Sequence, residues 1–122
     1  MTFDAGVLIA LDRGDARMWL QIDEGFRLPT RPVVPAPVLA QVWRSGRQAN
    51  LGRALAALVI EQTDDELARR AGELCAMAGT ADAIDAIVVA SAARRGDVVV
   101  TGDVLDLARL AAHTPNVAIR RI

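Results

Sequence analysis

Val98-Val99-Val100 is the stretch that most restricts how this chain folds: three consecutive β-branched residues, closed by Thr101-Gly102-Asp103. Such side chains favour the extended backbone, and a run without polar alternation is buried on both faces. A strand of that kind sits in the middle of a sheet with helices on either side, as in parallel α/β sheets. The remaining segments agree with it. Met1 to Phe3 reads as a short strand ending at Asp4, and Ala5 to Leu11 as a helix. Asp12-Arg13-Gly14-Asp15 is a turn whose Asp15 suits the N-cap of a helix over Ala16 to Glu24. Val33-Val34 follows a Pro-rich loop as a second strand, and Pro35 and Pro37 suit a loop and the first turn of a helix over Val38 to Arg44. A helix from about Ala49 to Ala57 leads into a third strand, Leu58-Val59-Ile60.

Thr63 or Asp64 can cap the next helix, in which Leu67, Ala71, Leu74 and Ala78 recur at helical spacing. Gly79-Thr80 breaks it, Ala81 to Arg95 reads as another helix, and Gly96 stops that one. After the central strand, Asp103 opens a last helix to about Ala112, and Val117 to Ile119 is a final strand. Strands separated by helices predict the α/β class, a parallel sheet covered on both faces. With 122 residues there is material for one hydrophobic core, so residues 1–122 are expected to form a single domain.

Composition removes several chemistries. All 14 basic residues are Arg, so no Walker-type phosphate loop, Schiff base or other Lys-dependent mechanism is available. Cys75 is the one cysteine and His113 the one histidine, which excludes a disulfide framework, a Cys-rich metal site and a two-His zinc site. Cys75 falls on a patterned helix and is expected to be buried and inert, and His113 is expected at the surface. The net charge is −1, so nucleic-acid contacts must come from local Arg clusters rather than bulk charge. The apolar runs, such as Ala54 to Ile60, are too short to span a bilayer. Met-Thr-Phe-Asp lacks the pattern of a signal peptide. A soluble cytoplasmic protein is the expectation.

Four acids are conspicuous by position. Asp4 follows the first strand, Asp103 follows the central one, and Asp82 and Asp85 lie three apart at the start of a helix, on one face of it. Taken alone, each reads more readily as an N-cap or a first-turn acid answering the helix dipole than as a site residue. Together they suggest more, because ligands of open parallel sheets bind beyond the carboxyl ends of strands, where strand order reverses. If the first and fourth strands are neighbours, Asp4 and Asp103 face each other across that crevice and Asp85 completes the cluster. Crowded carboxylates call for a cation, and an all-oxygen set favours Mg²⁺ or Mn²⁺. Such a site polarises a phosphodiester and activates water without a protein nucleophile.

Asp4-Ala5-Gly6-Val7-Leu8-Ile9-Ala10-Leu11, Gly79-Thr80-Ala81-Asp82-Ala83-Ile84-Asp85-Ala86 and Val99-Val100-Thr101-Gly102-Asp103 resemble the three acidic blocks of PIN domains, above all those of VapC-type toxins. The resemblance runs through essentially the whole chain, in order. It implies a three-layer fold with a central parallel sheet in the order 3-2-1-4-5 flanked by helices. It also implies a toxin with Mg²⁺- or Mn²⁺-dependent endoribonuclease activity, homodimerisation, and a cognate VapB-type antitoxin as partner. By the same likeness Asp4, Asp85 and Asp103 fall on the family's catalytic, metal-binding acids. Asp82 is a supporting acid, and Thr101 stands where a small polar residue helps hold the site.

Two positions depart from the family pattern. Gln41 occupies the place of the usual Glu in the third helix; its amide can orient a water but adds no charge. Ala5-Gly6 stands where a Thr or Ser often follows the first Asp. These departures keep a second reading open, a catalytically weak PIN domain that binds RNA or protein. A phosphatase-like or nucleotide-binding domain is disfavoured by the lack of Lys and of a Gly-rich phosphate loop. Arg44 and Arg47, beside Trp43, are candidates for RNA contact through phosphates and stacking, or else part of a solvated face around a packing Trp. Trp19 is read as packing. Arg94-Arg95 closes its helix at the end away from Asp85 and is placed outside the site. The apolar faces of the early helices suit core, a dimer interface or an antitoxin groove alike.

Overall fold

The computed structural model describes residues 1–25 and 29–122. In chain order the elements are β1 (Thr2–Phe3), α1 (Ala5–Asp12), α2 (Ala16–Gly25), β2 (Val33–Pro35), α3 (Ala36–Val42), α4 (Ala49–Leu55) and β3 (Val59–Glu61), followed by α5 (Asp65–Ala78), α6 (Ala83–Arg95), β4 (Val98–Thr101), α7 (Val104–Ala111) and β5 (Ala118–Arg121). The five strands form one parallel sheet in the order β3-β2-β1-β4-β5. Parallel neighbours cannot be joined by tight turns, so each link carries a helix that packs back onto the sheet.

The apolar run of β4 behaves as its chemistry requires. Val99 and Val100 are fully buried between β1 and β5, with Thr2 opposite Val99 and Phe3 opposite Val100. Phe3, Leu8, Leu11, Leu51, Leu67, Leu74 and Leu107 fill the layers around them. The two edges are unlike. β5 presents Arg120 and Arg121, which discourage edge pairing, whereas β3 exposes Val59 and Ile60.

Element limits differ from the sequence expectation mainly at Pro and Asp. α3 begins at Ala36 because Pro37 falls in its first turn, where a missing N–H costs nothing, and it ends before Trp43. α6 begins at Ala83 rather than Ala81, since Asp82 caps it by accepting a hydrogen bond from the Asp85 N–H at 3.1 Å. Asp64 caps α5 through the Leu67 N–H at 2.7 Å, and Asp15 accepts from the Met18 N–H at 3.0 Å in the same way. Among the described residues no single helix is long and apolar enough to cross a membrane.

The chain turns from β1 to β2 on one side and reaches β4 on the other. The sheet order therefore reverses between β1 and β4, and the crevice lies beyond their carboxyl ends.

Candidate metal centre

Asp4 and Asp103 begin at the same point of the sheet. Asp4 follows β1 directly, its N–H donating to the Val100 carbonyl at 3.1 Å, so it is tied to the neighbouring strand. Asp103 follows β4 by one residue. Both stand at helix N-caps, yet neither side chain makes a capping hydrogen bond, unlike Asp64 and Asp82. A cap therefore does not account for either carboxylate.

Thr101 links the two. Its hydroxyl, fully buried, donates to Asp4 Oδ2 at 2.8 Å and accepts from the Asp103 N–H at 2.9 Å. One hydroxyl thus orients the nearly buried Asp4 carboxylate and fixes the turn that presents Asp103. Gly6 permits the close approach of α1 to that turn: a Cβ there would lie 2.9 Å from Ile122 Cδ1 and 3.3 Å from the Gly102 nitrogen. A side chain at Gly6 would require Ile122 to move aside and would press on the Gly102 backbone.

The first turn of α6 brings in Asp85, half-buried. Its carboxyl is pushed up to about 7, by burial first, then by the charge of Asp82, by that of Asp4, by its hydrogen bond with Asp82 and by the charge of Asp103. Burial and three neighbouring acids together oppose its ionisation. Carboxylate oxygens of Asp85, Asp103 and Asp106 lie within 4.8 Å of one another. Asp4 is not in that tight group; its Oδ2 accepts from the Thr101 hydroxyl. Asp82 spends one oxygen on the α6 cap and lines the adjoining cleft of about 170 Å³ with Thr80, Asp85, Asp106, Arg109 and Leu110.

Asp106 is a member of the cluster that the sequence does not single out. Its signal is the spacing: Asp103 and Asp106 lie three apart at the start of a helix, the same pattern as Asp82 and Asp85. Gln41 lies on α3, exposed, and shares no hydrogen bond with these carboxylates; its backbone carbonyl accepts from Arg44 Nη2 at 3.0 Å. The Arg44 guanidinium folds back onto the end of α3, also reaching the carbonyls of Ala40 at 3.2 Å and Trp43 at 2.8 Å. Arg47 is exposed and its N–H donates to Ser45 Oγ at 3.2 Å. Trp43, 39% exposed, lines an apolar groove of about 540 Å³ with Ala36, Leu39, Ala40 and Leu55. Trp19 packs against the core, donating from its indole to the Leu11 carbonyl at 3.2 Å, with the Arg53 guanidinium 4.7 Å above its ring. Arg95 is bound up with Glu61, Thr2 and Ser91, at the other end of α6 from Asp85. Cys75 is only partly buried, its thiol 3.6 Å from the Asp82 carbonyl, and His113 is exposed.

Comparison with known proteins adds to this geometry. The PIN domain family matches residues 1–112. No curated protein sequence matches the chain. Among solved structures, the chain is similar to VapBC2 of Rickettsia felis bound to a promoter DNA fragment, with a TM-score of 0.72 and 14% identity over 99% of this chain and 97% of that one. It is similar to a toxin–antitoxin complex from Klebsiella pneumoniae, with a TM-score of 0.73 and 20% identity over 96% and 94%. A third likeness is to VapBC-5 of Mycobacterium tuberculosis, with a TM-score of 0.60 and 25% identity over 99% and 97%.

Proposed function

This chain belongs to the PIN domain family, and from that premise we propose that it is a metal-dependent endoribonuclease, the toxin half of a toxin–antitoxin pair, with residues 1–122 as one such domain. The observation that carries the reading is the meeting of Asp85, Asp103 and Asp106 at the reversal point of the sheet, where Thr101 links Asp4 to the Asp103 turn. The donor set fits a hard divalent ion. It is all carboxylate, and one oxygen from each of the three acids lies within 4.8 Å of the others, close enough to share one ion. The raised Asp85 carboxyl points the same way, since a cation is what would let it ionise at neutral pH.

When bound, Mg²⁺ or Mn²⁺ supplies Lewis-acid stabilisation of the phosphodiester and lowers the pKa of water. The chain's part is placement. Asp85 and Asp103, with Asp106 beside them, offer ligands, Asp4 is a further metal-site acid oriented by the Thr101 hydroxyl, and Thr101 fixes both strand ends. Asp82 holds the α6 N-terminus, and with it Asp85, in position. The substrate is RNA in the cytoplasm, cut by attack of water. Gln41, exposed and without a hydrogen bond to the carboxylates, adds no charge to the site, and Arg44 and Arg47 are peripheral RNA contacts.

The likeness to VapBC complexes supports a cognate VapB-type antitoxin as partner, and a homodimer is proposed as the working form from the resemblance to VapC-type toxins alone. The groove beside Trp43 is an apolar surface suited to such a contact.

Incubation of the purified protein with bulk cellular RNA in Mg²⁺ or Mn²⁺ tests the proposal, beside EDTA and Asp85→Asn controls. Discrete fragments that vanish in both controls are expected. Absence of cleavage by a folded, antitoxin-free sample would instead favour the catalytically weak binding domain to which Gln41 points.

A further inference from the structure

Arg109 lines the cleft of the carboxylate cluster and, like Arg17 beside Asp15, stands near acids without an ion pair among the described residues. Arg69, Arg70, Arg94 and Arg95 each form an ion pair, with Asp65, Glu73, Asp64 and Glu61 respectively. Arg109 shares its cleft with Asp82, Asp85 and Asp106, yet among the described residues it forms no ion pair or hydrogen bond with them. Its placement is suited to the site nonetheless. It follows Asp106 by three residues on α7, so the two share a helix face, about 4.5 Å apart along the axis. Helical side chains lean toward the N-terminus, which here carries the guanidinium toward the carboxylates rather than away from them.

The geometry points to Arg109 as the residue that holds a non-bridging oxygen of the RNA phosphodiester brought against the carboxylate cluster, an assignment that rests on the ribonuclease reading above. Three carboxylates and one arginine make a cleft that repels a bare phosphate. Once a divalent cation offsets the acids, the guanidinium becomes the donor left over for the anion. Its planar fork can take two phosphate oxygens, which a Lys ammonium cannot reproduce.

Arg109→Gln and Arg109→Lys test this, with Arg69→Gln as a control on a distant exposed arginine. In Mn²⁺-dependent cleavage of bulk RNA, Arg109→Gln should lower kcat/KM by about 10- to 100-fold, the range of one charge-assisted hydrogen bond, with partial recovery in Arg109→Lys. Half-saturating Mn²⁺ should stay the same or fall, because the charge removed is positive. Binding of a mixed-sequence single-stranded RNA is then followed against salt in an Asp4→Asn background, which keeps Asp85, Asp103 and Asp106. The slope of log affinity on log salt should shrink by about 0.7 in Arg109→Gln, the change expected when one phosphate is no longer neutralised, and be unchanged in Arg69→Gln. Wild-type cleavage with unaltered kcat/KM and slope in Arg109→Gln would overturn the assignment. If the wild type cleaves no RNA, the ribonuclease reading fails, and the salt slope alone still decides for or against Arg109.

Discussion

At Thr101 a single hydroxyl serves two carboxylate-bearing turns, and its removal has a calculable consequence. In Thr101→Val the shape is kept, but the nearly buried Asp4 oxygen loses its donor and the Asp103 N–H its acceptor. A buried polar group left unpaired costs about 1–3 kcal/mol, and Asp4 is charged, so a loss toward the upper end is expected in chemical denaturation. Thr101→Ser retains the hydroxyl and should cost far less; equal losses in the two variants would show that the hydroxyl is not what matters. Asp85→Asn separates chemistry from folding more sharply. It removes a carboxylate whose ionisation is opposed by burial and by Asp82, Asp4 and Asp103. Cleavage should fall by at least about 100-fold, the scale of losing a directly acting charged group, while the metal-free protein becomes more stable at pH 8. A variant that is both inactive and less stable would mean that Asp85 supports the fold instead.

On the scale of elements, the caps divide into two kinds, and that division carries the next expectation. Asp64 closes α5 through the Leu67 N–H and receives Arg94 Nη2 at 2.7 Å, so Asp64→Ala should lower stability measurably without touching the metal site. Asp103, which caps nothing through its side chain, should cost little in stability when changed to Asn; calorimetry of the two variants side by side measures the contrast. The sequence carries the order and type of these elements because each has a local cause. The β-branched run makes β4, Pro37 sets the first turn of α3, and Asp64 and Gly79 bracket α5. The neighbouring of β1 and β4 is legible only as a condition, since pairing is a long-range event that no local propensity encodes; the structure meets it. Asp106 does not stand out because first-turn acids are common in helices and the spacing alone carries no address. Gln41 and the Trp43 groove depend on how α3 packs, which periodicity does not reveal.

For the whole molecule, pH and divalent metal are coupled through the same carboxylates. Asp64 is held below its ordinary value of 3.8 by the Arg94 hydrogen bond and the Leu67 N–H, so the stability it contributes is present above that value and lost only on stronger acidification. Asp85 acts in the opposite sense and in another window. Its carboxyl lies near 7 in the native chain against 3.8 as the ordinary value, so between those limits the native state holds the extra proton. The slope of unfolding free energy with pH follows the protons bound by the unfolded state minus those of the native state, which is negative here. In EDTA this group therefore costs stability progressively as pH rises from about 4 to about 7, a cost that vanishes in Asp85→Asn. Solvent around the half-exposed side chain reduces its size without changing its sign. A divalent ion reverses the trend, because it binds the ionised form and only the folded cluster. Mn²⁺ at roughly 100 times its dissociation constant should add about 2.7 kcal/mol, a rise in Tm on the order of 10 °C for a chain of this size. That rise should be large at pH 8 and shrink toward pH 5, where protons compete for Asp85. Thermal melts of wild type and Asp85→Asn, with Mn²⁺ or EDTA at both pH values, measure all four corners. An equal metal effect at the two pH values, or the same effect in Asp85→Asn, would place the ion somewhere other than this cluster.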